Sequence, residues 1–401
     1  MNPSIEKLYH IAQKPTKIII GLMSGTSLDG LDIALCEISG NGTNTSAKII
    51  HFETVPYGND FKTPIRKVFA QTTVDLKLLA QLNEWIALQH ADFIKQTLKK
   101  WDYTIEKVDI VASHGQTVMH APQKLEPNNI YPNATLQIGD GDHLAVATGL
   151  ITLSDFRQKN IAGGGEGAPL AVYGDYFLFS DKNEDRILLN IGGIANFTYL
   201  PSNNDISKVK VTDTGTGNTL IDSIVRKNYP ELSFDKDAAI ALSGKCSEAL
   251  LNAMLDDDFF KKNYPKSTGP EYFNAEFIEK YQKTSNTTSI SIPDLICTLT
   301  HFSAKSIAKA INECLASNTS NTSIYLSGGG VHNPLMVDLL RKLLPKIKVS
   351  TTQELGLNAD AKEAVLFAVL ANETLSGGFC KLQLQNGHTP DVLMGKISLP
   401  D

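Results

Sequence analysis

The chain is poor in cysteine, and what it has is scattered. Cys36, Cys246, Cys297, Cys314 and Cys380 stand far apart in 401 residues, and no Cys-x-x-Cys pair occurs. An odd, dispersed set argues against a disulfide frame or structural zinc and fits a reducing compartment. Long apolar runs are missing too. None approaches the ~18 residues of a membrane span, and residues 1–16 lack the apolar core of a signal peptide. No membrane partner is expected, and the cytoplasm is the default location. There is no long basic run, and the formal net charge is −6, so nucleic acid is not an expected partner. What remains is ordinary for a soluble globular protein, 42% hydrophobic and 20% charged residues, in a chain long enough for two domains or three.

The most informative stretch is residues 17–35. An apolar run at 18–20 ends at Gly21, and a polar turn follows with Ser24, Gly25, Thr26, Ser27, Leu28, Asp29 and Gly30. A second apolar run starts at Leu31 and ends near Ile38. Two β-prone runs around such a turn predict a hairpin. The turn offers unobstructed backbone N–H groups and three hydroxyls, which is how a chain cradles phosphate oxygens. The carboxylates of Asp29 and Asp32 are poor direct phosphate partners, but they make sense with Mg²⁺ and its waters lying between. The turn is not a P-loop, because no Gly-Lys-Ser/Thr follows and strand rather than helix comes next. An ordinary hairpin with a polar turn stays open for this stretch taken alone.

Further on, residues 61–100 have helical periodicity. A short strand at 108–112 is expected to deliver Ser113, His114, Gly115, Gln116 and Thr117 at its C-terminal end, where open α/β sheets place ligand groups. Strand 134–139 and helix 140–148 come next, then Asp155-Phe156-Arg157 and a turn at 163–169 too rich in glycine for strand or helix. Residues 186–200 repeat the opening theme: strand, the Gly192-Gly193 turn, strand back. A third strand, 208–211, runs into Asp213-Thr214-Gly215-Thr216-Gly217-Asn218 and a helix at 219–227. Strand, glycine turn, strand, strand thus occurs from about residue 17 and again from about residue 186. This suggests one fold used twice, with a nucleotide in the cleft between the copies; two unrelated hairpins are the alternative. Residues 238–257 and 294–314 are expected to be helical, and the Ser/Thr/Asn tracts 284–289 and 317–323 to be loops. Ser327, Gly328, Gly329 and Gly330 lie between a strand at 323–326 and a helix at 334–343, where backbone can approach a ring or ribose closely. A final helix, 360–375, carries Lys362 and Glu363 near its start. Residues 1–16 look like a loosely attached extension, and Lys266 and Lys362 read as surface charges.

Taken together, the motifs at 21–32, 113–117, 155–157, 163–170, 190–196, 213–218, 266–269 and 327–333 resemble those of the anhydro-N-acetylmuramic acid kinase family, within the actin/hexokinase/Hsp70 superfamily of ATPases. They span nearly the whole chain in family order. The resemblance implies an α/β, two-lobed actin-like fold, each lobe a mixed sheet of RNase H-like topology flanked by helices. Lobe I would cover 17–150 joined by helix 360–375, lobe II 151–359, with an extension at 1–16 and a tail at 376–401. It implies a kinase that takes ATP and Mg²⁺, opens 1,6-anhydro-N-acetylmuramic acid with water and phosphorylates O6, as in peptidoglycan recycling. Asp213 would be the base. Gly25 to Asp32 would hold the β- and γ-phosphates and, through Asp29 and Asp32, the metal. Gly192, Gly193, Gly215, Gly217 and Asn218 would form the opposing phosphate wall, and Ser327 to Gly330 would meet the adenosine. His114, Gln116, Arg157 and Glu363 are the substrate candidates, with a buried structural role for His114 still open. Family members tend to dimerise, so a homodimer is allowed. Glu166, Thr216 and Pro270 depart from the residues usual in the family. The rivals are another sugar kinase on the same fold that phosphorylates a free hydroxyl, and an actin-like filament former or chaperone.

Overall fold

A computed structural model describes residues 1–123, 130–168, 170–203, 205–315, 321–356, 360–377 and 392–401. Cys380, Pro169, residues 317–320 of the second polar tract and most of the 376–401 tail lie outside the described residues. The chain forms two compact units, Met1–Phe179 with Asp360–Asp401, and Ser180–Ala359.

The first unit opens with helix α1 (Pro3–Gln13), capped by the Asn2 side chain on the N–H groups of Ser4 and Ile5. Next come strands β1 (Thr16–Ser24), β2 (Gly30–Ser39) and β3 (Ser46–Pro56), helices α2 (Asn59–Arg66) and α3 (Leu76–Lys100), and strands β4 (Ile110–Ala121) and β5 (Ala134–Ile138). Helix α4 (Gly141–Thr148), strand β6 (Thr152–Ser154) and helices α5 (Phe156–Ala162) and α6 (Ala171–Phe179) complete its first segment. The strands make a seven-stranded sheet in the order β12-β6-β4-β1-β2-β3, with β5 on β4 and β12 (Lys396–Ser398) returning from the chain end. β1 is the central strand, and Ile19, Ile20 and Leu22 bury both of its faces, as a continuous apolar run requires. Helix α3 packs on α4, β5 and β4 with Leu82, Ile86, Ile94 and Leu98 buried, and helix α13 (Lys362–Ser376) contacts β1, β2 and β4. A Cβ at Gly21 would stand 1.9 Å from the carbonyl oxygen of Ala364. That glycine sets how closely α13 approaches the sheet.

The second unit contains strands β7 (Asp185–Ile191), β8 (Ile194–Leu200) and β9 (Lys210–Thr216), then helices α7 (Thr219–Asn228), α8 (Ala239–Ser243), α9 (Glu248–Leu255), α10 (Ala275–Thr284) and α11 (Ile292–Leu315). Strand β10 (Thr322–Ser327), helix α12 (Pro334–Leu343) and strand β11 (Lys348–Thr351) follow. Its sheet runs β11-β10-β7-β8-β9. In both units a three-strand antiparallel meander is extended on its first strand by two parallel strands. Each sheet therefore contains the order 3-2-1-4-5, and the repetition read from residues 17 and 186 is a repetition of topology.

Several boundaries differ from expectation. The first unit runs to Phe179 rather than ending at 150, because β6 pairs in parallel with β4 and α6 packs on α13. The extension at 1–16 is an ordered helix, with Ile11 buried and Lys14 paired to Asp109 at 2.6 Å. Residues 61–100 hold two helices, the second restarted by the Asp75 cap. The expected helix 238–257 breaks at Gly244, whose Cβ position lies 2.2 Å from the Pro293 carbonyl oxygen. The 108–112 strand continues to Ala121, so Ser113 to Thr117 lie within β4. Parallel pairing with β1 ends at Ser24 and Gln116, beside an irregularity that contains Gly115 at φ +73°. Bulges of this kind re-aim side chains.

Candidate active site

In the first unit, the turn between β1 and β2 is braced from beneath. The buried Ser24 hydroxyl donates to Gln116 Oε1 at 2.6 Å and lies 2.8 Å from the Tyr57 hydroxyl. Gln116 Nε2 donates to the carbonyls of Gly25 and Thr117, and the Tyr57 N–H donates to the Asp29 carbonyl at 3.0 Å. Leu28 takes φ +59° and buries its side chain, an anchor worth ~2 kcal/mol of apolar burial against the cost of a left-handed residue. Thr26, Ser27 and Asp29 stay exposed. Gln116 itself is fully buried, and its polar atoms are spent on the turn. Asp32 accepts from the Thr54 hydroxyl at 2.5 Å. Burial raises its carboxyl above the ordinary range, and the negative charges of Asp360 and Asp29 push it further the same way. Among the described residues no three His, Cys, Asp or Glu side chains form a ready-made metal cluster.

A second group of residues in this unit centres on Arg157. Its Nε–H donates to His114 Nε2 at 2.8 Å, and Nη1 donates to the Gly167 carbonyl at 2.8 Å. An arginine can only donate, so His114 Nε2 is the acceptor, and its proton sits on Nδ1, 2.8 Å from the Gly115 carbonyl. Burial pushes His114 down to about 3, assisted by the Arg157 charge. The ring is therefore neutral and 3% exposed, with both nitrogens committed inside the protein. It orients Arg157. The glycine turn after α5 is held by Asn160, whose Oδ1 accepts the Gly167 N–H at 2.8 Å. Glu363, at the start of α13, is raised by desolvation, while Arg157 and Lys362 pull it down. Lys362 is no surface charge: it pairs at 2.6 Å with Asp175, a carboxylate only 4% exposed.

In the second unit three glycine segments meet at the end of β7. The N–H groups of Gly217 and Thr219 donate to the Gly193 carbonyl at 2.8 and 3.1 Å, and that of Asn218 to Gly192 at 2.9 Å. Asn218 Nδ2 adds bonds to the carbonyls of Ile191 and Gly192. A Cβ at Gly217 would lie 2.3 Å from Gly192 O, one at Gly328 2.6 Å from Asn190 Oδ1, and one at Gly330 2.2 Å from Ile191 Cγ2. Gly215, at φ +129°, needs its glycine conformation. Beside the third segment lies a cavity of ≈ 360 Å³, lined by Leu326, Val331, His332, Pro334, Val337 and Arg341 among others. Of this lining, Val331 and His332 belong to the 327–333 motif, and no local pattern in the sequence marks the rest.

Asp213 lies within β9, which continues past it to Thr216. It is half-buried, and its Oδ2 accepts the Thr268 N–H at 2.8 Å. Among the described residues no donor is bonded to Oδ1. Burial raises the carboxyl, the Thr268 bond opposes that, and Glu271 adds to the rise. The neighbouring Lys266 is buried rather than a surface charge.

Duplicated 3-2-1-4-5 sheets, each with a glycine or hydroxyl-rich turn at the head of its meander, define an α/β fold built twice on one plan. The match to known proteins narrows this. The model of the family described as "Anhydro-N-acetylmuramic acid kinase" matches residues 17–399, and the chain belongs to that family. An "Anhydro-N-acetylmuramic acid kinase" of Pseudoalteromonas atlantica is 48% identical over 402 residues, covering 100% of both chains. One from Caldanaerobacter subterraneus subsp. tengcongensis is 37% identical, covering 98% of this chain and 100% of the relative. Among solved structures, the activator of the 2-hydroxyisocaproyl-CoA dehydratase from Clostridium difficile with bound ADPNP aligns at 13% identity and TM-score 0.39, covering 90% of this chain and 96% of that one. A ROK family glucokinase from Streptomyces griseus aligns at 12% identity and TM-score 0.35, covering 88% and 98%.

Proposed function

We propose that this kinase converts 1,6-anhydro-N-acetylmuramic acid, ATP and water to N-acetylmuramic acid 6-phosphate and ADP. The anhydro bridge ties O6 to C1, so no free 6-hydroxyl exists to be phosphorylated. Water attacks C1, the C1–O6 bond breaks, and O6 takes the γ-phosphoryl group while ADP leaves. Asp213 accepts the water's proton. The observation that supports this role is its carboxylate geometry: Oδ2 is fixed by the Thr268 N–H and Oδ1 is left open. A carboxylate is a weak base toward bulk water. Its raised affinity for protons and oxocarbenium character at C1, which acidifies the attacking water, make the transfer workable.

The remaining residues bind and orient. Backbone and hydroxyl groups of Gly25 to Leu31 cradle the β- and γ-phosphates, and Gly192, Gly193, Gly215, Gly217 and Asn218 form a second phosphate wall, in which the N–H groups of Gly217 and Asn218 are spent on closing the seam with Gly193 and Gly192. Ser327 to Gly330 meet the ribose, with the adjoining cavity taking the base. Asp29 and Asp32 fit a hydrated Mg²⁺: like charges crowd Asp32, which a cation relieves, while among the described residues no preformed carboxylate cage demands direct ligation. Bound there, Mg²⁺ would neutralise charge on the transferring phosphoryl group. Arg157, held on two edges by His114 and Gly167, presents Nη2 to the lactyl carboxylate, a planar anion suited to guanidinium. Glu363 binds sugar hydroxyls. Gln116 acts through the turn it braces. Cytoplasmic location and a homodimer complete the proposal.

The test is incubation with ATP, Mg²⁺ and the anhydro sugar in H₂¹⁸O, with the product read by mass. One ¹⁸O at C1 of a 6-phosphate is expected. A phosphorylated product with the anhydro ring intact and no ¹⁸O would instead identify a kinase for a free hydroxyl.

A further inference from the structure

We propose that Lys266 is a positioning residue for the Asp213 base: its buried ammonium staples loop 264–269 to the core, so that Thr268 holds one carboxylate oxygen and leaves the other to water. This rests on the role given to Asp213 above. The loop runs beside β9 as an interlocked partner. The Asp213 N–H donates to the Lys266 carbonyl at 3.0 Å. The Lys266 N–H donates to the Thr212 hydroxyl at 2.9 Å, and that hydroxyl donates to the Asp213 carbonyl at 3.0 Å. Two residues on, the Thr268 N–H reaches Asp213 Oδ2. The carboxylate is therefore only as well placed as this loop.

What holds the loop is a lysine 5% exposed. Its Nζ donates to the Phe260 carbonyl at 3.3 Å and lies 3.6 Å from the Glu313 carboxylate. The rings of Tyr264 and Phe259 stand 5.6 and 5.8 Å away. Burying an ammonium costs several kcal/mol unless it is paired and bonded. A loop lysine could avoid that cost in water, yet this one is tied on several sides. Burial and the like charge of Lys309 pull its proton affinity down, and Glu313 holds it up. The charged group that faces Asp213 is Glu271.

Lys266→Met keeps the stem and removes the ammonium. The expected result is a kcat lower by about ten- to a hundredfold, as misplacement of a catalytic group produces, with the KM for ATP within about twofold. The acid limb of the pH–rate profile moves up, because the lost Thr268 bond had favoured the ionised carboxylate. A lysine that merely stabilised this unit would lower the melting temperature and leave that limb in place. Thr212→Val cuts the hydroxyl bridge, the bond from the Lys266 N–H included, while leaving the Lys266 ammonium in place, and should shift the limb the same way, by less. Wild-type kcat and acid limb in folded Lys266→Met overturn the proposal; if that variant does not fold, the same result in Thr212→Val does so. Asp213→Asn in parallel keeps the two ideas separate. Near-normal turnover there removes the base and this proposal with it. Lost turnover there, beside wild-type profiles in the loop variants, removes the positioning role alone.

Discussion

Gly217→Ala should do damage out of proportion to one methyl group. The added Cβ would stand 2.3 Å from the Gly192 carbonyl oxygen and 3.3 Å from that of Gly193. Both obstacles are backbone, so no rotamer change relieves the contact, and the turns must separate by about 1 Å to reach ordinary van der Waals distance. Three backbone bonds of 2.8, 2.9 and 3.1 Å cross that seam. Overpacking costs ~1–3 kcal/mol, and weakening one or two of the bonds adds ~1 kcal/mol each. The expected destabilisation is therefore ~2–5 kcal/mol, read by urea denaturation. Because the same turns are assigned to the phosphates, the KM for ATP should rise while the KM for the sugar holds. Gly149→Ala is the control: Gly149 caps α4 at φ +72° with nothing within 4 Å of its Cβ position. It should lose only the ~1 kcal/mol of a left-handed alanine and leave both KM values alone. A Gly217→Ala protein within ~0.5 kcal/mol of wild type, with unchanged ATP affinity, would refute the tight seam.

Other outcomes follow from the same geometry. Asp213→Asn should abolish turnover while keeping ATP affinity in a binding titration. In the unsubstituted enzyme, turnover should fall as the pH drops through the Asp213 pKa, since only the ionised form takes a proton; burial places that limb above the ordinary carboxylate range. His114→Phe removes the acceptor of the Arg157 Nε–H and should raise the KM for the sugar, leaving that for ATP near wild type in steady-state assays. Lys362→Met removes an ion-pair partner of the buried Asp175 carboxylate and should cost ~2 kcal/mol in thermal or chemical unfolding.

The sheet strands and glycine turns were legible because backbone demands write themselves into residue type. Gly193, Gly217, Gly328 and Gly330 stand where a Cβ would strike neighbouring backbone or side chains, and the apolar run at 18–20 is a strand buried on both faces. Side-chain commitments were less legible. Gln116 and His114 look like ligand groups in a string of polar residues. Only three dimensions show Gln116 spent on the hairpin turn and His114 on Arg157. Lys266 and Lys362 illustrate the converse. A lysine in a Ser/Thr/Gly loop, or at a helix start, carries no local sign of burial, because its partners Glu313 and Asp175 are 47 and 187 residues away in sequence. The boundary near 150 was missed for a related reason: β6 is three residues long, too short for periodicity to separate from a loop.

The contact between Gly21 and α13 also bears on how the chain is made. The strand leaves the ribosome well before the helix, with all of the second unit translated between them. Until residues 362–376 emerge, the face of β1 around Gly21 has no helix to cover it, and the first unit is an incomplete body waiting for its closing piece. Proteins built this way expose strand surface during synthesis. A ribosome stalled after residue 359 should therefore present a chain whose second unit has all its strands but whose first remains a client for chaperones.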